Sequence, residues 1–110
     1  MLSITAVGNL AADPETRQVG KLDVTNFTVL VNKRRKSEEY VTPLRCAVWG
    51  ERSKNAAELL QKGMQVTIAG QAHLETYEAK NGETRANLVV DVNEFRLPPK
   101  PKVESTEMPF

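Results

Sequence analysis

Alternation with a period of two runs through most of the chain, and one short helical period interrupts it. The clearest stretch is Val41 to Tyr77, which reads strand, helix, strand. From Val41 to Trp49, Leu44, Cys46 and Val48 fall on one face and Arg45, Ala47 and Trp49 on the other, because successive strand side chains point to opposite faces. The first set suits a core, and the second puts a cation and an indole on the outer surface. Ala56, Leu59 and Leu60 then predict a helix over roughly Ser53 to Lys62, with Asn55 and Glu58 as a capping pair and Gly63 as the left-handed residue past its end. Alternation resumes from Gln65 to Tyr77, with Val66, Ile68, Ala72 and Leu74 inward and Gln71, His73, Glu75 and Tyr77 outward.

The flanks extend the pattern. Met1 to Leu10 predicts a first strand, and Gly8 within it marks a bulge or a barrel corner. Ala11 to Glu15 reads as a turn around Pro14, and Gln18 to Asp23 as a short connection around Gly20. Val24 to Asn32 is a second strand whose two faces are both partly apolar, as in a closed barrel or at an interface. Lys33 to Glu39 is a charged loop. Asn81-Gly82 is the strongest turn signal in the chain and predicts a type I′ hairpin leading into a last strand from Arg85 to Leu97. Prolines 98, 99 and 101 then end the pattern, since they cannot donate to a ladder and favour an extended chain. Residues 1–97 therefore form one domain, and 98–110 a Pro-rich linker with a short tail expected to be disordered in isolation. Five strands with one short helix between the third and fourth is the element order of an all-β OB-fold barrel.

Composition narrows the chemistry. The only cysteine, Cys46, lies on the core face, which excludes an internal disulfide. With His73 the only histidine, no zinc-ligand spacing exists. There is no glycine-rich phosphate loop and no Gly-x-Ser-x-Gly, and Asp13 and Glu15 read as turn residues rather than a catalytic pair. No catalytic residue, metal or cofactor is expected. No apolar run approaches the ~20 residues that span a bilayer, and no secretory signal is visible, so a cytoplasmic protein is the expectation. The net charge of +1 decides nothing about partners, because position matters more than the sum. Lys33, Arg34, Arg35 and Lys36 are four consecutive cations, half offset by Glu38 and Glu39; they read either as a solvated hairpin tip or as a phosphate-contacting loop. A cation with aromatics on an outer sheet face would stack bases and hold phosphates.

Several short motifs then follow one another. They are Val7-Gly8-Asn9-Leu10, Asp13-Pro14-Glu15-x-Arg17, Asn26-Phe27-Thr28-Val29, Cys46-Ala47-Val48-Trp49-Gly50, Ala57-Glu58-x-Leu60-x-Lys62-Gly63-x-x-Val66-x-Ile68-x-Gly70, and Tyr77 before Asn81-Gly82. In order and spacing they resemble the bacterial single-stranded DNA-binding proteins over roughly Met1 to Leu97. The resemblance implies an OB-fold that assembles as a homotetramer and coats single-stranded DNA without sequence preference during replication, recombination or repair, in the nucleoid-containing cytoplasm. Trp49 and Tyr77 match positions where aromatics stack on bases. Arg45, Lys62 and Arg85 match basic positions near the DNA path. Lys33, Arg34, Arg35 and Lys36 fall in the family's long hairpin loop, here short, with Tyr40 its nearest aromatic. Pro43 stands where the family often has an aromatic, and Glu51 and Glu75 where it often has cations. Fewer platforms and cations imply weaker or more salt-sensitive binding. The end, Met108-Pro109-Phe110 after a thin acidic run, is similar to the family's tip and implies docking of replication and repair proteins. Two other readings stay open: a primosome-type OB-fold adaptor that binds DNA weakly and bridges replication proteins, and an OB-fold protein–protein module.

Overall fold

The computed structural model describes residues 1–98. Its elements are β1 (Ser3–Leu10), β2 (Glu15–Val19), β3 (Leu22–Arg35), β4 (Glu38–Trp49), α1 (Glu51–Leu59), β5 (Gln65–Glu78) and β6 (Thr84–Arg96). The strands form one sheet in the order β1-β5-β6-β4-β3-β2, and β1 also pairs with β3. Five strands thus close into a ring, the OB-fold arrangement, while β2 lies outside it on the flank of β3. β1 closes the ring by changing partner: Ser3 to Asn9 run along β5, and Asn9 and Leu10 oppose Leu30 and Val29 of β3. Gly8 sits at that corner, where a Cβ would fall on the carbonyl oxygen of Leu30. The one parallel pair joins β4 to β6, from Leu44 opposite Leu88 to Ala47 opposite Asp91.

Alternation fills the ring as the sequence predicts. Phe27, Val29, Leu44, Cys46, Val48, Val66, Ile68 and Val90 point inward and are buried, and α1 adds Ala56, with Leu60 just past its end. Burial pushes the Cys46 thiol up to about 12. Among the described residues no helix is long and apolar enough to cross a membrane, and no group of His, Cys, Asp and Glu could hold a metal ion.

Five local expectations change. The predicted Gln18–Asp23 connection is a hairpin, with β2 laddered to β3 from Glu15 opposite Asn26 to Val19 opposite Leu22. Every β2 side chain is exposed, so no apolar alternation announces the strand. The charged loop at Lys33 to Glu39 is instead an extension of β3 and β4, paired out to Arg35 opposite Glu38, with Lys36 (φ 57°) in the turn. The helix starts earlier and ends at Leu59 rather than Lys62. Gly50 stands at its N-cap without a side-chain cap, and Leu60 leaves it in an extended conformation to bury its side chain. Asn55 and Glu58 lie inside the helix and are not a capping pair; Gly63 is left-handed as expected (φ 85°), but it stands in the turn into β5, where its N–H donates to the carbonyl of Leu10, rather than at the helix cap. At Asn81-Gly82 only Gly82 has positive φ (86°), so the turn is not type I′. Instead the Gly82 N–H donates to the Ala79 carbonyl (2.9 Å) and the Ala79 N–H to the Glu83 carbonyl (2.8 Å). The Asn81 carboxamide oxygen accepts from the Glu83 N–H (3.0 Å), which fixes this three-residue loop. Finally Leu74, expected inward, is 66% exposed, because β5 and β6 continue beyond the ring as a free hairpin.

Candidate nucleic-acid interface

Strand registers align the outward side chains into rows. Arg17, Val24 and Trp49 form one row across β2, β3 and β4. Glu15, Asn26, Ala47, Asp91 and Gln71 form the next. Thr28, Arg45, Val89 and His73 form the third. Residues opposite one another share a face with Cβ atoms roughly 5 Å apart, and Arg45 and Trp49 stand about 13 Å apart along β4. Arg17, Arg45, Trp49 and His73 thereby line one open groove of about 630 Å³. Trp49 is 45% exposed, while Val24 beside it is buried yet lies outside the core cluster. The outer face of β3 and β4 is the one that OB-folds use for oligonucleotides and oligosaccharides.

Because β4 and β6 run parallel, the β3–β4 and β5–β6 hairpins project from the same end of the ring. Tyr77 opposes Arg85 on the second hairpin, on the same outward face as His73 and Glu75. Trp49, Arg45, Tyr77 and Arg85 therefore share one face, with the aromatics toward its two ends. Lys33, Arg34, Arg35 and Lys36 cap the first hairpin, exposed, and form no ion pair among the described residues. Tyr40 does not join this face. It opposes Lys33 and shares the strand parity of Leu44, opposite to Arg45. Its hydroxyl donates to the Glu38 carboxylate, and that bond, with a smaller effect of burial, holds its pKa above the ordinary tyrosine value. Lys62 sits in the turn between α1 and β5, where its backbone N–H donates to Asp13 Oδ1 (2.8 Å). Met108, Pro109 and Phe110 lie outside the described residues.

Arg17 and His73 line the groove but are not among the candidates drawn from the sequence. Arg17 sits on β2, the strand that carries no periodic signal; only the Asp-Pro-Glu-x-Arg spacing marks it. His73 reads as a surface histidine, and it is one, but its row neighbour two strands away is Arg45. The groove mixes charges of both signs. Asp13, Glu15, Glu75 and Asp91 line it as well, with Glu75 Oε2 3.1 Å from His73 Nε2.

A closed five-stranded ring with one short helix, its outer face offering an indole, a phenol and guanidinium groups, defines a protein of the OB-fold class. A family model described as the single-strand binding protein family matches residues 1–98. The single-stranded DNA-binding proteins of Mycobacterium leprae and Mycolicibacterium smegmatis are each 39% identical to it over 84% of this chain, covering 60% and 61% of their own lengths. That of Bifidobacterium longum is 32% identical over 84% of this chain and 46% of its own. The chain thus spans about three fifths (60%) of the length of the first of these relatives. The crystal structure of a small single-stranded DNA-binding protein from Streptomyces coelicolor shares the fold, with a TM-score of 0.78 over 88% of this chain and 94% of that one at 20% identity. The chain belongs to the single-strand binding protein family.

Proposed function

We propose that this chain binds single-stranded DNA, without catalysis, by stacking bases on Trp49 and Tyr77 and holding phosphates with Arg45, Arg85, Arg17 and the Lys33–Lys36 hairpin. The observation that carries this is the placement of Arg45 and Trp49 on one outward face of β4, where both line the same open groove. Base stacking tolerates any sequence, because every base has a π-face. Such a protein coats and protects single strands during replication, recombination or repair in the cytoplasm. Homotetramer assembly and recruitment of replication and repair proteins through Met108, Pro109 and Phe110 are part of the same proposal.

Titration with oligo-dT and oligo-dC tests it through the fluorescence of Trp49, the only tryptophan. Saturable quenching that weakens with salt supports the reading; no quenching, with no shift in a mobility assay, refutes it. The carboxylates in the groove favour a second reading, the adaptor that binds DNA weakly and bridges replication proteins. A tetramer in solution supports the coating protein and a dimer the adaptor. Removing Met108 to Phe110 should leave DNA binding intact and abolish capture of replication proteins.

A further inference from the structure

We infer that Asn81 is a site of spontaneous deamidation, and that its conversion weakens the DNA face by altering the hairpin that carries Tyr77 and Arg85. The effect on DNA rests on the single-stranded DNA reading above; the modification site stands without it. Asn81 is the one asparagine that precedes a glycine. It is also the one that stands in a turn: Asn9, Asn26, Asn32, Asn87 and Asn93 lie in strands and Asn55 in α1, where regular backbone pairing restrains the peptide that follows. Asn81 and Gly82 are both exposed, at the tip of the β5–β6 hairpin that continues beyond the ring. Outside its two chain neighbours, nothing lies within 4 Å of the place a Cβ would occupy on Gly82, so nothing walls off this side of the loop. The Asn81 carboxamide oxygen accepts from the Glu83 N–H (3.0 Å), which lays the side chain back along the Gly82 peptide and draws electron density from Cγ. The restraint on the Gly82 nitrogen is its hydrogen bond to the Ala79 carbonyl (2.9 Å), and an exposed hairpin tip opens locally at little cost.

Once that N–H is free, the Gly82 nitrogen gives its proton to hydroxide and attacks Asn81 Cγ. The N–Cγ bond forms, the bond from Cγ to Nδ2 breaks, and ammonia leaves with a proton from solvent. Water then opens the cyclic imide. Cleavage at Cγ gives aspartate; cleavage at the main-chain carbonyl gives isoaspartate, whose backbone carries an extra methylene. One water is consumed and one ammonia released, and the neutral amide becomes a carboxylate that is ionised at neutral pH. The new charge stands four residues beyond Tyr77 and four before Arg85. It repels phosphate along this edge of the face. Isoaspartate also lengthens the loop that the Ala79 and Glu83 backbone bond closes, which loosens the pairing of Tyr77 with Arg85.

The test is to incubate the full chain at mildly alkaline pH beside a synthetic peptide of residues 78–85, and to map the tryptic fragment from Asn81 to Arg85. The fragment should lose its amide and appear as aspartate and isoaspartate, and Asn81→Gln should abolish the conversion. An amide still intact in the folded chain after the synthetic peptide has converted overturns the inference. Anisotropy of a labelled oligo-dT then compares fresh chain, converted chain and Asn81→Asp. At low salt the converted chain and Asn81→Asp should both bind roughly two- to fivefold more weakly than the fresh chain. At high salt Asn81→Asp should converge with it, while the converted chain, with its longer backbone, keeps part of the loss. Binding by the converted chain equal to that of the fresh one overturns the effect on the DNA face and leaves the modification site standing. No binding by the fresh chain overturns the single-strand reading and that effect with it, and the peptide map alone then decides the site.

Discussion

Thr25 Oγ1 and Ser53 Oγ lie 2.7 Å apart, and both residues are fully buried. Thr25 belongs to β3 and Ser53 to the first turn of α1. Thr25 Oγ1 also donates to the Ser53 carbonyl (2.8 Å) and lies 2.8 Å from Thr16 Oγ1 of β2. With one proton given and two accepted, the hydroxyl is fully used. A single side chain thus ties the helix, the ring and the flanking strand together. Its chain neighbour Val24 is opposed by both Arg17 and Trp49, so the same junction positions the candidate stacking platform and the cation beside it.

Thr25→Val keeps the shape and removes the hydroxyl. The Ser53 carbonyl and the Thr16 and Ser53 hydroxyls each lose a partner, at a cost of about 1–3 kcal/mol for buried groups left unsatisfied. At ~4–8 °C per kcal/mol for a domain of this size, thermal unfolding should come several degrees or more earlier. Thr25→Ser retains the hydroxyl and should recover most of that loss. Equal melting temperatures for Thr25→Val and the wild type would contradict the account.

Gly70→Ala tests the bulge in β5. The register between β5 and β6 slips between Ala69 and Gly70, and a Cβ on Gly70 would fall on the Asp91 carbonyl oxygen, a backbone atom that cannot swing aside. Overpacking of this kind costs roughly 1–3 kcal/mol. Gly82→Ala is the control, because it faces open space and meets only the strain of φ 86°. Denaturant titration should show the larger loss for Gly70→Ala.

How much of this was legible in the sequence follows from what each residue contributes. The ring strands were readable because Leu44, Cys46 and Val48, or Val66 and Ile68, alternate against polar neighbours, and the core enforces that period. The outward Arg45, Trp49 and Tyr77 came from the same parity. β2 was not readable, because Glu15 to Val19 bury nothing; a backbone ladder and one Thr16–Thr25 contact hold them, and neither leaves a hydrophobic pattern. With β2 went Arg17 as a groove residue. Tyr40 follows the basic hairpin closely in sequence, but its even position sets it on the face opposite Arg45. The carboxylates of the groove were dispersed over three segments, and only the registers assemble Glu15, Asn26, Ala47 and Asp91 into one row.

Cys46 gives a chemical prediction. Its thiol is buried, and desolvation of the thiolate raises its pKa from 9.0 to about 12. At neutral pH the folded protein should resist alkylation, and the thiol should react at once in denaturant. The sign of the linkage follows. The unfolded chain ionises near 9.0 while the folded one stays neutral, so the contribution to stability is whole below pH 9 and is lost as pH rises toward about 12. Rapid labelling of the native protein at neutral pH would show that the strand around Cys46 opens far more often than its burial implies.

The DNA face separates stacking from charge. Trp49→Ala should weaken binding of single strands at least roughly tenfold, since one base–aromatic stack contributes ~1–3 kcal/mol. It should leave the salt dependence unchanged, because no phosphate contact is removed. Arg45→Ala should lower affinity and also flatten the plot of log affinity against log salt, by about one phosphate's worth of counterion release. Glu75→Gln should do the opposite of a lost contact. Glu75 places a negative charge in the groove two residues from His73, so neutralising it removes repulsion from the DNA path, and affinity should rise at low salt and converge with the wild type at high salt. Anisotropy of a labelled oligonucleotide reads all three variants, including the one without a tryptophan. Tighter binding by Glu75→Gln, with a flatter slope for Arg45→Ala alone, fixes the phosphate path over the Arg45 row. A Glu75→Gln affinity equal to the wild type at every salt concentration would move that path off the β5 side of the groove.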